Sequence, residues 1–100
     1  MRTNLVMKDG VAELRLLIQH PMETGLRKDK ASGQLIPAHF IQNLTVDVNA
    51  TKVIDVNCGV AVSKDPFFYF KIDGVKAGDN LKIMWVDNKG GSETETLTAS

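Results

Sequence analysis

The sequence is short of the features that most readily betray a function. It has one cysteine, Cys58, so no internal disulfide can staple the chain. Its start, Met1 to Val6, carries one arginine and no apolar run of the length a signal peptide needs. No later stretch is long and apolar enough to span a bilayer. Neither sign of charge is in excess, with 12 Lys plus Arg against 12 Asp plus Glu and a formal net charge of zero. Phosphate recognition draws on a basic surplus, so nucleic acid is not expected as a partner, and nothing pulls the chain toward an anionic membrane. Near-neutral charge slightly favours association with another protein. Glycine-rich phosphate loops, zinc-ligand spacings, internal repeats, low-complexity tracts and linkers are all missing. On these grounds the chain is expected to be soluble, and cytoplasmic unless exported by other means.

What is present is enough for one domain spanning 1–100. Hydrophobic residues at 43% and charged residues at 24% are ordinary for a globular protein, and a chain of this length buries roughly 60–68% of its unfolded surface. Val11 to Gln19 alternates Ala12, Leu14, Leu16 and Ile18 with Val11, Glu13, Arg15 and Leu17, the period of a half-buried strand. Phe40 to Asn49 alternates strongly, with Leu44, Val46 and Val48 on one face. Asn49-Ala50-Thr51 marks a tight turn, and Lys52 to Cys58 returns as a third strand with Ile54, Val56 and Cys58 on one face. Phe67 to Asp73 sets Phe68, Phe70 and Ile72 against Phe67, Tyr69 and Lys71. After a turn at Val75 to Asp79, Leu81 to Asp87 places Leu81, Ile83 and Trp85 on one face. Asn88-Lys89-Gly90-Gly91 is a hairpin connection leading to Glu93 to Ala99, whose Glu/Thr alternation suits an edge strand. A short apolar piece, Val60 to Val62, ends at Ser63-Lys64-Asp65-Pro66. Six or seven short strands and no convincing amphipathic helix predict an all-β, antiparallel β-sandwich of immunoglobulin-like architecture, without the paired cysteines of antibody domains.

Between the first two of these strands lies a segment without period, His20 to Pro37, holding two prolines, two glycines and the charged run Arg27-Lys28-Asp29-Lys30. Structureless loops of about 18 residues are unusual in compact domains and tend to be functional or disordered. A hairpin-like excursion turning at Ser32-Gly33 is expected here. Its opening, His20-Pro21-Met22-Glu23-Thr24-Gly25, reads either as a turn fixed by Pro and Gly or as a binding loop on a rigid sandwich. A second candidate is an aromatic face of Phe67 and Tyr69, joined by Met84 and Val86 of the following strand into one outward apolar patch suited to a protein interface.

Sites for chemistry are sparse. His20, His39, Cys58 and four methionines are the raw material of a blue-copper site, but such domains place Cys, His and Met together on one late loop, and no histidine follows Cys58. A metal-binding or redox domain using His20, His39 and Cys58 is the alternative reading. As a nucleophile Cys58 would need a nearby cation, and its place in an apolar strand suggests a near-core thiol instead. Glu13, Glu23 and Asp47 form no recognisable acid/base pair. The N-x-T triplets at Asn43 and Asn49 fall within or beside strands and read as chance matches. Neither enzyme activity nor a cofactor is expected.

The run His20-Pro21-Met22 with Thr24, Gly25, Arg27 and Asp29, followed by Ile36-Pro37, resembles the loop of SoxZ-type proteins. Phe40-Ile41 leading into a strand, the hairpin near Asn49, Asp65-Pro66-Phe67, and the closing Trp85, Asp87 and Gly90 are similar in the same order, so the resemblance covers most of the chain. It implies an immunoglobulin-like sandwich with no catalytic role, paired as a heterodimer or higher assembly with a SoxY-type subunit whose flexible Gly-rich tail carries one cysteine. Sulfur intermediates of thiosulfate oxidation ride on that cysteine between the pathway's enzymes, which this chain would meet transiently. His20, Pro21, Met22, Thr24, Gly25, Arg27, Phe67, Tyr69 and Met84 are the expected partner-binding residues. The resemblance also implies a periplasmic complex exported through the partner's signal peptide. Because the sequence closes on Thr94 to Ser100 without a Gly-rich cysteine tail, this chain is not expected to be the carrier. The family pattern assigns no role to Cys58.

Overall fold

The computed structural model describes residues 1–59 and 61–100, so the first residue of the apolar piece expected at Val60 to Val62 lies outside the described residues. Seven strands follow in order: β1 (Arg2–Lys8), β2 (Val11–Leu17), β3 (Ile41–Val48), β4 (Thr51–Asn57), β5 (Phe67–Asp73), β6 (Asn80–Asp87) and β7 (Ser92–Thr98). They form a three-stranded sheet, β1-β2-β5, and a four-stranded sheet, β4-β3-β6-β7, every pairing antiparallel. Among the described residues there is no helix. This is the all-β sandwich that the period-two pattern predicts.

The strands from Val11 onward lie where the alternation placed them. The strand that the sequence reading did not anticipate is β1. It is joined to β2 by the two-residue turn Asp9-Gly10, both at positive φ (53° and 78°), the geometry that Asp-Gly favours in tight hairpins. Within β1 only Leu5 and Met7 among the inward positions pack against the core, too weak a pattern to read alone.

Central strands supply the core. Leu14 and Leu16 of β2, with Ile18 just beyond it, face Ile41, Leu44 and Val46 of β3 and Leu81 and Ile83 of β6, all fully buried. Each such side chain contributes about 1.5–3 kcal/mol through removal from water. A bulge between Ile41 and Asn43 lets Ile41 point inward although it stands three residues from Leu44. The same register places Ile41 opposite Asp87. The start of β3, the end of β6 and the exit from β2 therefore converge at one end of the sandwich.

The long segment folds back on itself as expected. Glu23 and His39 exchange backbone hydrogen bonds of 2.6 and 2.9 Å, and further out Asp29 donates to Gln34 (2.8 Å) and Ile36 to Arg27 (2.8 Å). The turn includes Gly33 at φ 72°.

Candidate functional site

Alternation alone carries two polar residues into the sandwich. His20 has the parity of Leu14, Leu16 and Ile18, and Asp87 has the parity of Leu81, Ile83 and Trp85. Both are buried, at 4% and 6% exposure. Their side chains meet, His20 Nε2 donating to Asp87 Oδ2 at 3.0 Å. His39, partly exposed, adds a second bond to the same oxygen, Nε2 to Oδ2 at 2.8 Å. Asp87 Oδ1 accepts the backbone N–H groups of Lys89 (2.9 Å) and Gly91 (2.7 Å) in the β6–β7 connection. One carboxylate thus ties together the loop after β2, the residue leading into β3, and the turn after β6. The Trp85 ring meets His20 edge to face, with centroids 5.4 Å apart. Burial by itself would raise the Asp87 pKa; hydrogen bonds from His20, His39, Gly91 and Lys89 outweigh it and hold the carboxyl far below the usual range, as an anion.

The loop opening is locked around this knot. Met22 N–H donates to His20 Nδ1 at 3.2 Å. Met22 is itself buried and stands at φ 49°, a left-handed conformation rare for a long side chain. Its sulfur accepts the Ile41 N–H at 3.4 Å. Asp65 Oδ1 accepts the His20 N–H at 2.9 Å, and the Asp65 N–H returns a bond to the His20 carbonyl at 3.0 Å. Gly25, at φ 85°, lies so close to Ala38 that a Cβ would meet that residue's Cβ at 3.2 Å. Arg27 grips Glu23 with two hydrogen bonds, 3.1 Å from Nε and 2.5 Å from a terminal nitrogen, on the exposed side. Thr24 Oγ1 accepts the Leu26 N–H, and Pro21 lies exposed beside them. His20 and Met22 therefore build the loop from inside, while Pro21, Thr24 and Arg27 present its surface.

This geometry tests the metal reading. The structure brings His20 and His39 together, but with Asp87 in place of Cys58: ligand atoms of the three lie within 4.8 Å of one another. His20 Nδ1 faces an N–H donor, so the proton of the neutral ring must sit on Nε2, directed at Asp87. Metal ligation through Nε2 would need that proton moved to Nδ1, against the Met22 N–H. The cluster is matched to protons rather than to a cation. Cys58 lies past the end of β4, partly buried against the core with its N–H on the Gln42 carbonyl. Burial pushes its thiol pKa up, away from the thiolate a nucleophile needs.

The second candidate is divided by the fold. Phe67 (60% exposed) and Tyr69 (44%) face outward from the three-stranded sheet. Tyr69 Oη donates to Glu13 Oε1 at 3.0 Å, and the Arg15 guanidinium lies 4.6 Å above its ring. Met84 and Val86 lie on the outer face of the other sheet, in register with Thr45 and Thr94 and with Asn43 and Ser92. The single patch expected of Phe67, Tyr69, Met84 and Val86 does not form, because consecutive strands β5 and β6 pair into different sheets, β5 with β2 and β6 with β3 and β7.

Asp87 is the residue that the sequence reading left out of the site. Its inward parity after Trp85 is the available signal, and it stands with Trp85 and Gly90 in the stretch that resembles SoxZ-type proteins. The His-Pro-Met stretch and the Trp-x-Asp stretch, far apart in sequence, touch through the bond between His20 and Asp87. No curated protein matches the chain. The family model described as sulphur oxidation protein SoxZ matches residues 1–98. With the sandwich predicted from that resemblance in place, and its two motifs joined at one buried carboxylate, the chain belongs to the SoxZ family and is a subunit of the sulfur-oxidation (Sox) system.

Proposed function

We propose that the protein is the non-catalytic partner of a SoxY-type sulfur carrier, pairing with it and helping to present its cysteine-bearing tail to the enzymes of thiosulfate oxidation. One observation carries this reading. Of the six aromatic residues in the chain, four stand on β5, and none of the four is buried. Phe, Tyr and Trp each hide a large apolar area when they can. Phe68 and Phe70 pack partly against the core, but Phe67 and Tyr69 stand 60% and 44% exposed, which makes β5 a contact surface without its contact.

The polar cluster supports a positioning role over a chemical one. Asp87 has all four acceptor directions filled from within the chain, and His20 uses both ring nitrogens. Such a site holds a loop; it has no free group to offer a substrate. Cys58, partly buried with its pKa raised, is a poor sulfur carrier. We place the working complex in the periplasm, exported with the carrier; fractionation of cells with and without the carrier's signal peptide tests this.

Co-expression with the carrier subunit, followed by size exclusion, tests the pairing. A stable complex is expected, weakened by about 1–3 kcal/mol on changing Phe67→Ala or Tyr69→Ala. A chain that elutes alone beside the folded carrier refutes the reading.

A further inference from the structure

A sandwich has four open strand edges, and here they are treated unequally. β7 turns Glu93 and Glu95 toward the interior, the Glu93 Oε1 accepting the Trp85 indole N–H at 3.0 Å. β4 carries an ion pair, Lys52 to Asp55 at 3.6 Å. β1 shows Arg2, Asn4 and Lys8. Charges placed this way are how proteins discourage strands of other chains from adding to an edge. On β5 the N-terminal four positions are all aromatic and none is charged.

The ladder fixes which backbone groups β5 offers. Ile18 N–H bonds the Pro66 carbonyl and Gly74 N–H bonds the Gly10 carbonyl, one at each end of the β2–β5 pairing. In an antiparallel pair, hydrogen-bonded and non-bonded positions alternate. Counting inward from both ends gives the same phase: Phe68, Phe70 and Ile72 direct their N–H and C=O groups to β2. Phe67, Tyr69, Lys71 and Asp73 direct theirs to the free edge, where they meet no backbone partner among the described residues. Lys71 and Asp73 make no ion pair within 4.0 Å among the described residues either.

We propose that the partner docks by strand addition, laying one extended strand along the free edge of β5 and continuing the three-stranded sheet across the complex. This rests on the partner-subunit reading and specifies its mode. The strand that fits is apolar where it faces Phe68, Phe70 and Ile72. On the other face it bears an acid opposite Lys71 and a base opposite Asp73. That charge requirement favours a different polypeptide over a second copy. Pairing the whole of β5 with its own copy, two-fold about Phe70, sets Lys71 against Tyr69 and Asp73 against Phe67, leaving both charges without counterions. The register two-fold about Ile72 does set Lys71 against Asp73, but β5 ends at Asp73 and the chain turns at Gly74 (φ 76°), so only Lys71–Asp73 overlap and the aromatic positions stay unpaired.

Amide hydrogen exchange on the chain alone and in complex with the carrier subunit tests the mode. Protection of the Tyr69 and Lys71 amides is expected to rise by about tenfold or more on complex formation, because free edge amides exchange readily. Lys71→Pro deletes one outward N–H at an edge position where proline is tolerated, and should weaken the complex by about tenfold, while Lys71→Ala, which keeps that N–H, should weaken it by less than about threefold. A complex that forms with both amides unprotected overturns strand addition and leaves the partner reading standing. No complex at all removes both. Concentration-dependent protection of the same amides in the chain alone replaces the partner with a second copy, and also overturns the proposal.

Discussion

Replacing Asp87 with alanine removes the acceptor for four N–H groups at once, and the structure says what each loss costs. His20 Nε2 sits on a side chain only 3% exposed, so no water reaches it, and an orphaned donor of that kind costs about 1–3 kcal/mol. The Lys89 and Gly91 N–H groups lose charge-assisted bonds in a partly exposed turn, about 0.5–1.5 kcal/mol each. His39, with a side chain 29% exposed, can turn to water at little cost. The sum is about 2–6 kcal/mol, against a total stability of about 5–15 kcal/mol for a domain of this size. At about 4–8 °C per kcal/mol, the melting temperature should fall by about 8 °C or more. Urea unfolding followed by the fluorescence of Trp85, the sole tryptophan and packed edge-on against His20, reads the loss directly. Asp87→Asn keeps an oxygen for the turn but offers a donor to His20, whose ring cannot change tautomer against the Met22 N–H, so it too should destabilise. A variant within about 0.5 kcal/mol of the parent, the range of a featureless surface change, would refute the argument that this carboxylate holds three segments together.

Four further outcomes follow from the same geometry. The folded Asp87 carboxyl titrates below its unfolded value of 3.8, so its contribution is present above that pH and disappears as the pH falls toward the folded value; acid unfolding of the parent should therefore be steeper than that of Asp87→Asn. Gly91→Ala would bring a Cβ within 2.6 Å of Asp87 Oδ2, and should cost about 1–3 kcal/mol by forcing the carboxylate out of place, measured by the same urea titration. Cys58 should label with a thiol reagent more slowly in the folded chain than after unfolding, whereas labelling at the unfolded rate would contradict its burial and raised pKa. Metal analysis of the purified chain should find no stoichiometric metal; one that is lost on changing His20→Ala would contradict the tautomer assigned to that ring.

Much of the fold was legible because a strand writes its facing into every second residue. Leu14, Leu16 and Ile18, or Leu81, Ile83 and Trp85, declare a buried face without help from any other segment. The same rule held the key to the site, since His20 and Asp87 sit in those inward rows, but a polar residue in an apolar row shows only that something must satisfy it. That His20 and Asp87 satisfy each other depends on β2 and β6 belonging to opposing sheets and ending at the same end of the sandwich. The expected four-residue patch failed for the complementary reason. Parity assigned Phe67, Tyr69, Met84 and Val86 correctly to outer faces, but parity carries no information about which sheet a strand joins.

The sequence by itself determined the strand periods, the turn positions, the inward and outward rows and, through the His-Pro-Met and Trp-x-Asp stretches, the family. These are local properties, fixed by side-chain spacing and turn chemistry over a few residues. Only the tertiary structure decided that Asp87, not Cys58, joins the two histidines, and that β5 is left as an aromatic edge with Tyr69 and Lys71 offering their backbone outward. Those facts depend on hydrogen-bond phase and on pairing between strands distant in sequence, which no stretch of the chain specifies until all seven strands are assembled.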